Sequence, residues 1–135
     1  MNIRKLSILL AVVALFVSAL ACGSTGPAGV SNIYMANDAE GKNKTTTFSP
    51  TEIIYVFFDV NQVEDGAAFQ VKWYALNVDG QDPNEAFVTT DYTYAGESTI
   101  FAQIQSTEGG FPPAQYKVEI YLSGAKVGEQ QFTIQ

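Results

Sequence analysis

An all-β fold, an antiparallel sandwich of about seven strands, is what this 135-residue chain predicts. Three observations carry the prediction. Beyond residue 29 no useful length of chain repeats its apolar residues at the helical period; apolar and polar side chains alternate instead. The alternating runs are rich in β-branched and aromatic residues, with nine Phe, seven Tyr and one Trp in the chain. Turn clusters interrupt the runs every 8 to 12 residues or so, which is the rhythm of a sandwich or barrel.

The elements follow in order. Val30–Ala36, "VSNIYMA", is a first strand, and "NDAEGKNKTTT" after it is a polar loop. Glu52–Val60, "EIIYVFFDV", is a strongly apolar strand, with Ile54, Val56 and Phe58 toward the core; "NQVEDG" turns the chain. Ala67–Leu76 places Phe69, Val71 and Trp73 on one face and Gln70, Lys72 and Tyr74 on the other. After the turn "NVDGQDPN", the segment "EAFVTTDYTY" is a strand or extended edge, and Ser98–Gln105 puts Ile100, Ala102 and Ile104 on one face. Beyond the loop "STEGGFPPA", Tyr116, Val118, Ile120 and Leu122 point inward, with Lys117, Glu119 and Tyr121 outward. "SGAK" is a hairpin turn, and the last strand sends Phe132 and Ile134 inward.

This order resembles an immunoglobulin-like or fibronectin-type-III-like β-sandwich. Trp73 on the third main strand matches the buried Trp of such domains, and Tyr116, opening the penultimate strand after a Pro-containing loop, matches their tyrosine corner. The paired cysteines of antibody domains are absent. The final hairpin, "YKVEIYLSGAKVGEQQFTI", is similar to the closing segment of immunoglobulin-like modules in bacterial surface proteins. The resemblance covers nearly all of 30–135; it is a pattern of strands with no catalytic motif, and the fold alone does not decide the function.

The chain start reads differently. Arg4 and Lys5 precede an almost wholly apolar run, Leu6–Ala21, about 16 residues long and short of the ~20 that span a bilayer. Cys22 follows at once and is the only cysteine. "ALAC" resembles the lipobox of bacterial lipoproteins, with Ala19 where Leu is commonest. The resemblance implies an N-terminal signal helix in 1–21, cleavage before Cys22, a diacylglyceryl group on the Cys22 thiol, and a flexible tether over 22–29 ahead of the domain at 30–135. Each buried lipid CH₂ contributes about 0.8 kcal/mol, so two or more acyl chains anchor firmly. Gly23 stands where Asp favours the inner membrane, so the expected location is the cell membrane surface, or the outer membrane where there are two.

Charge and composition narrow the function. Loss of Arg4 and Lys5 leaves five Lys against 14 acids, a net side-chain charge of −9. Such a surface repels nucleic acid, so no nucleic-acid partner is expected. The chain has no histidine, and lipidation consumes its cysteine, so no Ser–His or Cys–His pair can form. The carboxylates fall mostly in turns or on outward positions, as surface charge does. No enzyme activity and no cofactor are expected.

Two features remain as candidate sites. "DGQDPNE" gathers Asp79, Asp82, Asn84 and Glu85, oxygen ligands of the kind calcium takes, although Asp, Asn, Gly and Pro are equally what a β-turn needs. Alternation sends Tyr55, Phe57, Tyr74, Phe101 and Tyr121 outward, where one aromatic face would bind a protein or glycan. The sequence thus predicts a lipid-anchored envelope protein acting in binding or adhesion. An accessory subunit of an envelope complex and a carbohydrate-binding module are the alternatives.

Overall fold

The structure, a computed structural model, describes residues 29–135. The expected signal segment and Cys22 lie outside the described residues. Eight strands form: β1 (Gly29–Ala36), β2 (Thr47–Phe48), β3 (Ile54–Asn61), β4 (Ala68–Ala75), β5 (Val88–Thr93), β6 (Thr99–Ile104), β7 (Ala114–Leu122) and β8 (Ala125–Ile134). They make a three-stranded sheet, β1-β3-β6, and a five-stranded sheet, β2-β8-β7-β4-β5.

The inner faces follow the predicted alternation. Ile54, Val56 and Phe58 of β3 and Ile100, Ala102 and Ile104 of β6 meet Phe69, Val71 and Trp73 of β4 and Tyr116, Val118 and Ile120 of β7, all buried in one core. Each Val, Ile or Phe among them contributes about 1.5–3 kcal/mol when taken out of water. Phe132 closes one end, edge-on to Trp73 with centroids 5.9 Å apart and stacked on Tyr116 at 5.5 Å. The Tyr116 hydroxyl donates to the Pro112 carbonyl at 2.7 Å, the tyrosine corner expected from the sequence. Ser123 and Gly124 both take positive φ (51° and 85°), as a two-residue type I′ hairpin turn between β7 and β8 requires.

Two details were not anticipated. Part of the expected polar loop folds back as β2, which pairs in parallel with the end of β8. The first strand is interrupted between Ser31 and Tyr34, where its pairing with β3 shifts register. The segment after the 76–87 turn, expected as a strand or extended edge, is an edge strand, β5, paired with β4 and without a partner in the three-stranded sheet among the described residues.

The two ends of the sandwich differ. Gly29, the first described residue, pairs with Asn61 and so lies at the end formed by the 62–67, 94–98 and 123–124 turns. The 49–53, 76–87 and 105–113 connections lie at the opposite end, where Phe111 N–H donates to Pro50 O at 2.8 Å and the first residues of β7 hold the 76–87 connection, Gln115 N–H donating to the Asn77 side chain at 2.7 Å.

Candidate functional site

The five outward aromatics do not form one face. Tyr55, Phe57 and Phe101 lie outside the three-stranded sheet, where Phe57 and Phe101 are directly paired across β3 and β6. Tyr74 and Tyr121 lie outside the five-stranded sheet, on β4 and β7. Alternation tells inward from outward but not which sheet a strand joins, so the single aromatic face is corrected to two clusters on opposite sides. Most of these rings are also covered. The 37–46 connection crosses the smaller cluster so closely that a Cβ on Gly41 would stand 3.3 Å from Phe57. Tyr34 stacks on Phe57 at 5.1 Å, and Lys44 Nζ sits 4.2 Å from the Tyr34 ring. Tyr55 and Phe57 are buried as a result, while Phe101 keeps 53% of its surface in water.

On the larger sheet the rings roof a carboxylate. Glu119, an outward position on β7, is only 5% exposed. Its oxygens receive Lys126 Nζ at 2.9 Å, Lys117 Nζ at 3.5 Å and the Tyr121 hydroxyl at 3.1 Å. Lys72 and Lys117 lie over the Tyr121 and Tyr74 rings at 4.5 and 4.9 Å. Burial pushes the Glu119 carboxyl up, but hydrogen bonds from Lys126, Tyr121 and Tyr74 and the Lys117 charge outweigh it, holding the group below the ordinary carboxylate value. Burial, then contact with Tyr121 and Glu119, pushes the Tyr74 hydroxyl well up. Satisfied on every side, this network ties β4, β7 and β8 together and offers little to a ligand. Sequence alternation placed Glu119 at the surface; the long side chains flanking it do the burying.

The third region is the open side of the sandwich, between β5 and β6. Phe87, Val88, Ile104 and Phe111 line a cleft of about 380 Å³ there with the polar Gln103–Thr107 stretch. A smaller hollow of about 110 Å³ adjoins it behind Phe87 and Phe111, whose rings pack on Tyr116 at 6.0 and 6.3 Å. Among the described residues β6 pairs only with β3. Val60 N–H donates to Ser98 O at 2.9 Å, so the alternation of an antiparallel ladder turns Ile100, Ala102 and Ile104 toward β3 and the N–H and C=O groups of Thr99, Phe101 and Gln103 toward the open side. These three residues also carry exposed side chains. No charge interrupts β6. One further signal lay in the sequence: between Lys72 and Lys117 stand six acids, Asp79, Asp82, Glu85, Asp91, Glu97 and Glu108, and no Lys or Arg.

In the 79–85 turn Asp82 holds the local backbone. Asp82 accepts from Asn84 N–H at 2.9 Å through its side chain and from Glu85 N–H at 3.1 Å through its carbonyl. Among the described residues no three Asp, Glu, His or Cys side chains gather as a metal site.

Comparison with known proteins agrees with this architecture. The structure is similar to an immunoglobulin-like protein of Pseudomonas aeruginosa, with a TM-score of 0.58 and 10% identity over 84% of this chain and 100% of that one. It is also similar to the PmoD soluble domain of Methylocystis sp. ATCC 49242 (Rockwell), with a TM-score of 0.54 and 10% identity over 82% of this chain and 94% of the other. A third likeness is to the alkylpurine DNA glycosylase AlkC of Pseudomonas fluorescens, solved with DNA containing an abasic-site analogue. There the TM-score is 0.55 and the identity 10%, over 87% of this chain but only 33% of the glycosylase. No protein-family model matches the sequence. No curated protein matches it either. At such identities the likeness establishes the fold, an immunoglobulin-like all-β sandwich.

Proposed function

We propose that this protein is a lipid-anchored envelope protein whose immunoglobulin-like domain is a non-enzymatic interaction module. The anchor is Cys22, modified by a diacylglyceryl group after cleavage of residues 1–21. The observation that supports the module reading is the exposed, uncharged β6 with its bordering cleft, at a distance from the buried polar network. A protein partner fits this surface better than a glycan. Stacking on sugar rings needs coplanar exposed aromatics, and Phe101 is tilted by 53° and 34° to Tyr55 and Phe57, both buried.

Membrane fractionation, mass spectrometry of the N-terminal peptide and pull-down from solubilised membranes test the reading together. The wild type is expected in membranes, with a lipid-modified peptide beginning at Cys22, and to capture a specific envelope protein. Cys22→Ala is expected to retain residues 1–21 uncleaved and to carry no diacylglyceryl group. A wild-type chain that is unmodified at Cys22 rejects the anchor. A modified chain that repeatedly comes down alone rejects the protein-partner reading and returns the glycan alternative.

A further inference from the structure

We infer that the open edge of β6 is a strand-addition site, which takes an extended, basic segment of a partner protein as a fourth strand of the smaller sheet. The inference rests on reading the domain as an interaction module and names where and how it binds.

Three independent features converge on that edge. Thr99, Phe101 and Gln103 present unpaired backbone donors and acceptors in strand geometry, the template on which β-addition depends. Proteins usually blunt such an edge with Lys, Pro, a bulge or a short strand. β6 has six residues, no charge, no Pro and an unbroken register against β3. β5, the edge on the same side, carries Asp91.

The space beside the edge has the shape an added strand needs. Side chains of such a strand alternate in direction. Its inward-pointing residues would enter the cleft walled by Phe87, Val88, Ile104 and Phe111. Its outward-pointing residues would lie beside Phe101, the one large apolar side chain exposed among the described residues. The segment therefore needs apolar residues at alternate positions.

Charge selects the occupant. Glu85, Asp91, Glu97 and Glu108 are exposed on β5 and the connections that border the gap, and no Lys or Arg lies between residues 72 and 117 to offset them. A basic segment complements this border. A second copy of the same chain would set acid against acid at short range, where like charges cost affinity.

The test uses the full chain in detergent and two nine-residue probe peptides that share the core Val-Thr-Val-Thr-Val. One probe has two Lys at each end, the other two Glu. Backbone amide exchange and titration are followed by NMR. The Lys-ended probe is expected to bind saturably and at least about tenfold more tightly than the Glu-ended one. It should slow exchange at Thr99, Phe101 and Gln103, while Ile100, Ala102 and Ile104, already bonded to β3, change little. Gln103→Pro removes only an outward N–H, and Phe101→Lys blunts an exposed position; each is expected to weaken binding at least about tenfold with the fold retained. Phe101→Lys keeps the test open should the proline variant unfold.

The inference fails if neither probe binds, if protection appears at other amides, or if both probes bind alike. It also fails if the three edge amides are already slow in the free chain and become fast on dilution, which marks a second copy, or on deletion of residues 23–28, which marks the chain's own N-terminal segment. Edge binding by a chain with unmodified Cys22 would leave the strand site standing and remove the anchor. A lipid-modified chain that captures a partner yet shows no edge protection would do the reverse.

Discussion

Two side chains show how much of this domain rests on single polar contacts. The Tyr116 hydroxyl is the one polar group of that buried side chain, and it donates to the Pro112 carbonyl at 2.7 Å. Tyr116→Phe leaves the ring stacked on Phe132 and deletes only this bond. Urea denaturation should report a loss of about 1–1.5 kcal/mol with an unchanged denaturant slope. Glu119 makes the opposite case, a carboxylate that sequence alternation assigns to the surface and that its neighbours bury. Its folded-state proton affinity is depressed, so its contribution is fully present above the unfolded value of 4.5 and is lost as pH falls through the lower folded value. Glu119→Gln should cost about 1–2 kcal/mol at pH 7, because the charged hydrogen bonds weaken and Lys126 loses a partner. The same substitution should flatten the acid limb of the stability–pH curve below about pH 4.5. Thermal unfolding from pH 7 to pH 3 measures both, and an acid limb identical to wild type would place the titrating group elsewhere.

At the scale of elements, legibility followed the reach of the signal. Strands that alternate over six or more residues, β4, β6 and β7, announce themselves and their buried faces, because a period of two is a local property, and β3 announces itself as an unbroken apolar run. β2 does not: its two residues are ordered by Phe48 entering the core and by parallel pairing with β8, a partner more than eighty residues away. For the same reason the aromatics could be read as outward but not sorted between sheets; Tyr55 and Tyr74 look alike in sequence, and only pairing separates them. The candidate site shared this fate. The uncharged β6 and the acid-only stretch around it are visible in the letters, but the edge and its cleft exist only once β5 and β6 are known to sit in different sheets. The 105–113 connection that closes the cleft depends on one close approach. Gly110 takes φ of 76°, and a Cβ there would lie 2.8 Å from the Pro50 carbonyl oxygen. Gly110→Ala should therefore destabilise the domain by about 1–3 kcal/mol and loosen the Phe111 N–H to Pro50 bond, seen as faster exchange of the Phe111 amide.

Over the whole molecule, the proposed anchor on Cys22 would give the ends of the sandwich different roles. Gly29, the first described residue, lies beside Asn61 and Val127, at the end that carries the 123–124 hairpin turn. The cleft and its Phe111 wall belong to the other end, across the length of β7, whose nine residues span roughly 26 Å at about 3.3 Å each. Under that proposal the segment between the anchor and β1, taken as a random coil, would reach about 15 Å. An acidic domain so anchored would be held near the bilayer by its N-terminal end and pushed away from anionic head groups elsewhere. The partner strand would then approach from the side away from the membrane. The arrangement can be measured on the lipidated protein in vesicles, with a fluorophore placed at Ser123→Cys or at Glu108→Cys and an acceptor in the head-group layer; the lipid on Cys22 keeps the introduced thiol unique. Transfer should be the more efficient from position 123, and the difference should widen as anionic lipid is added and narrow as salt screens it. Equal transfer from both positions would mean that the domain lies along the membrane, with the β6 edge turned toward partners within the bilayer surface instead of above it.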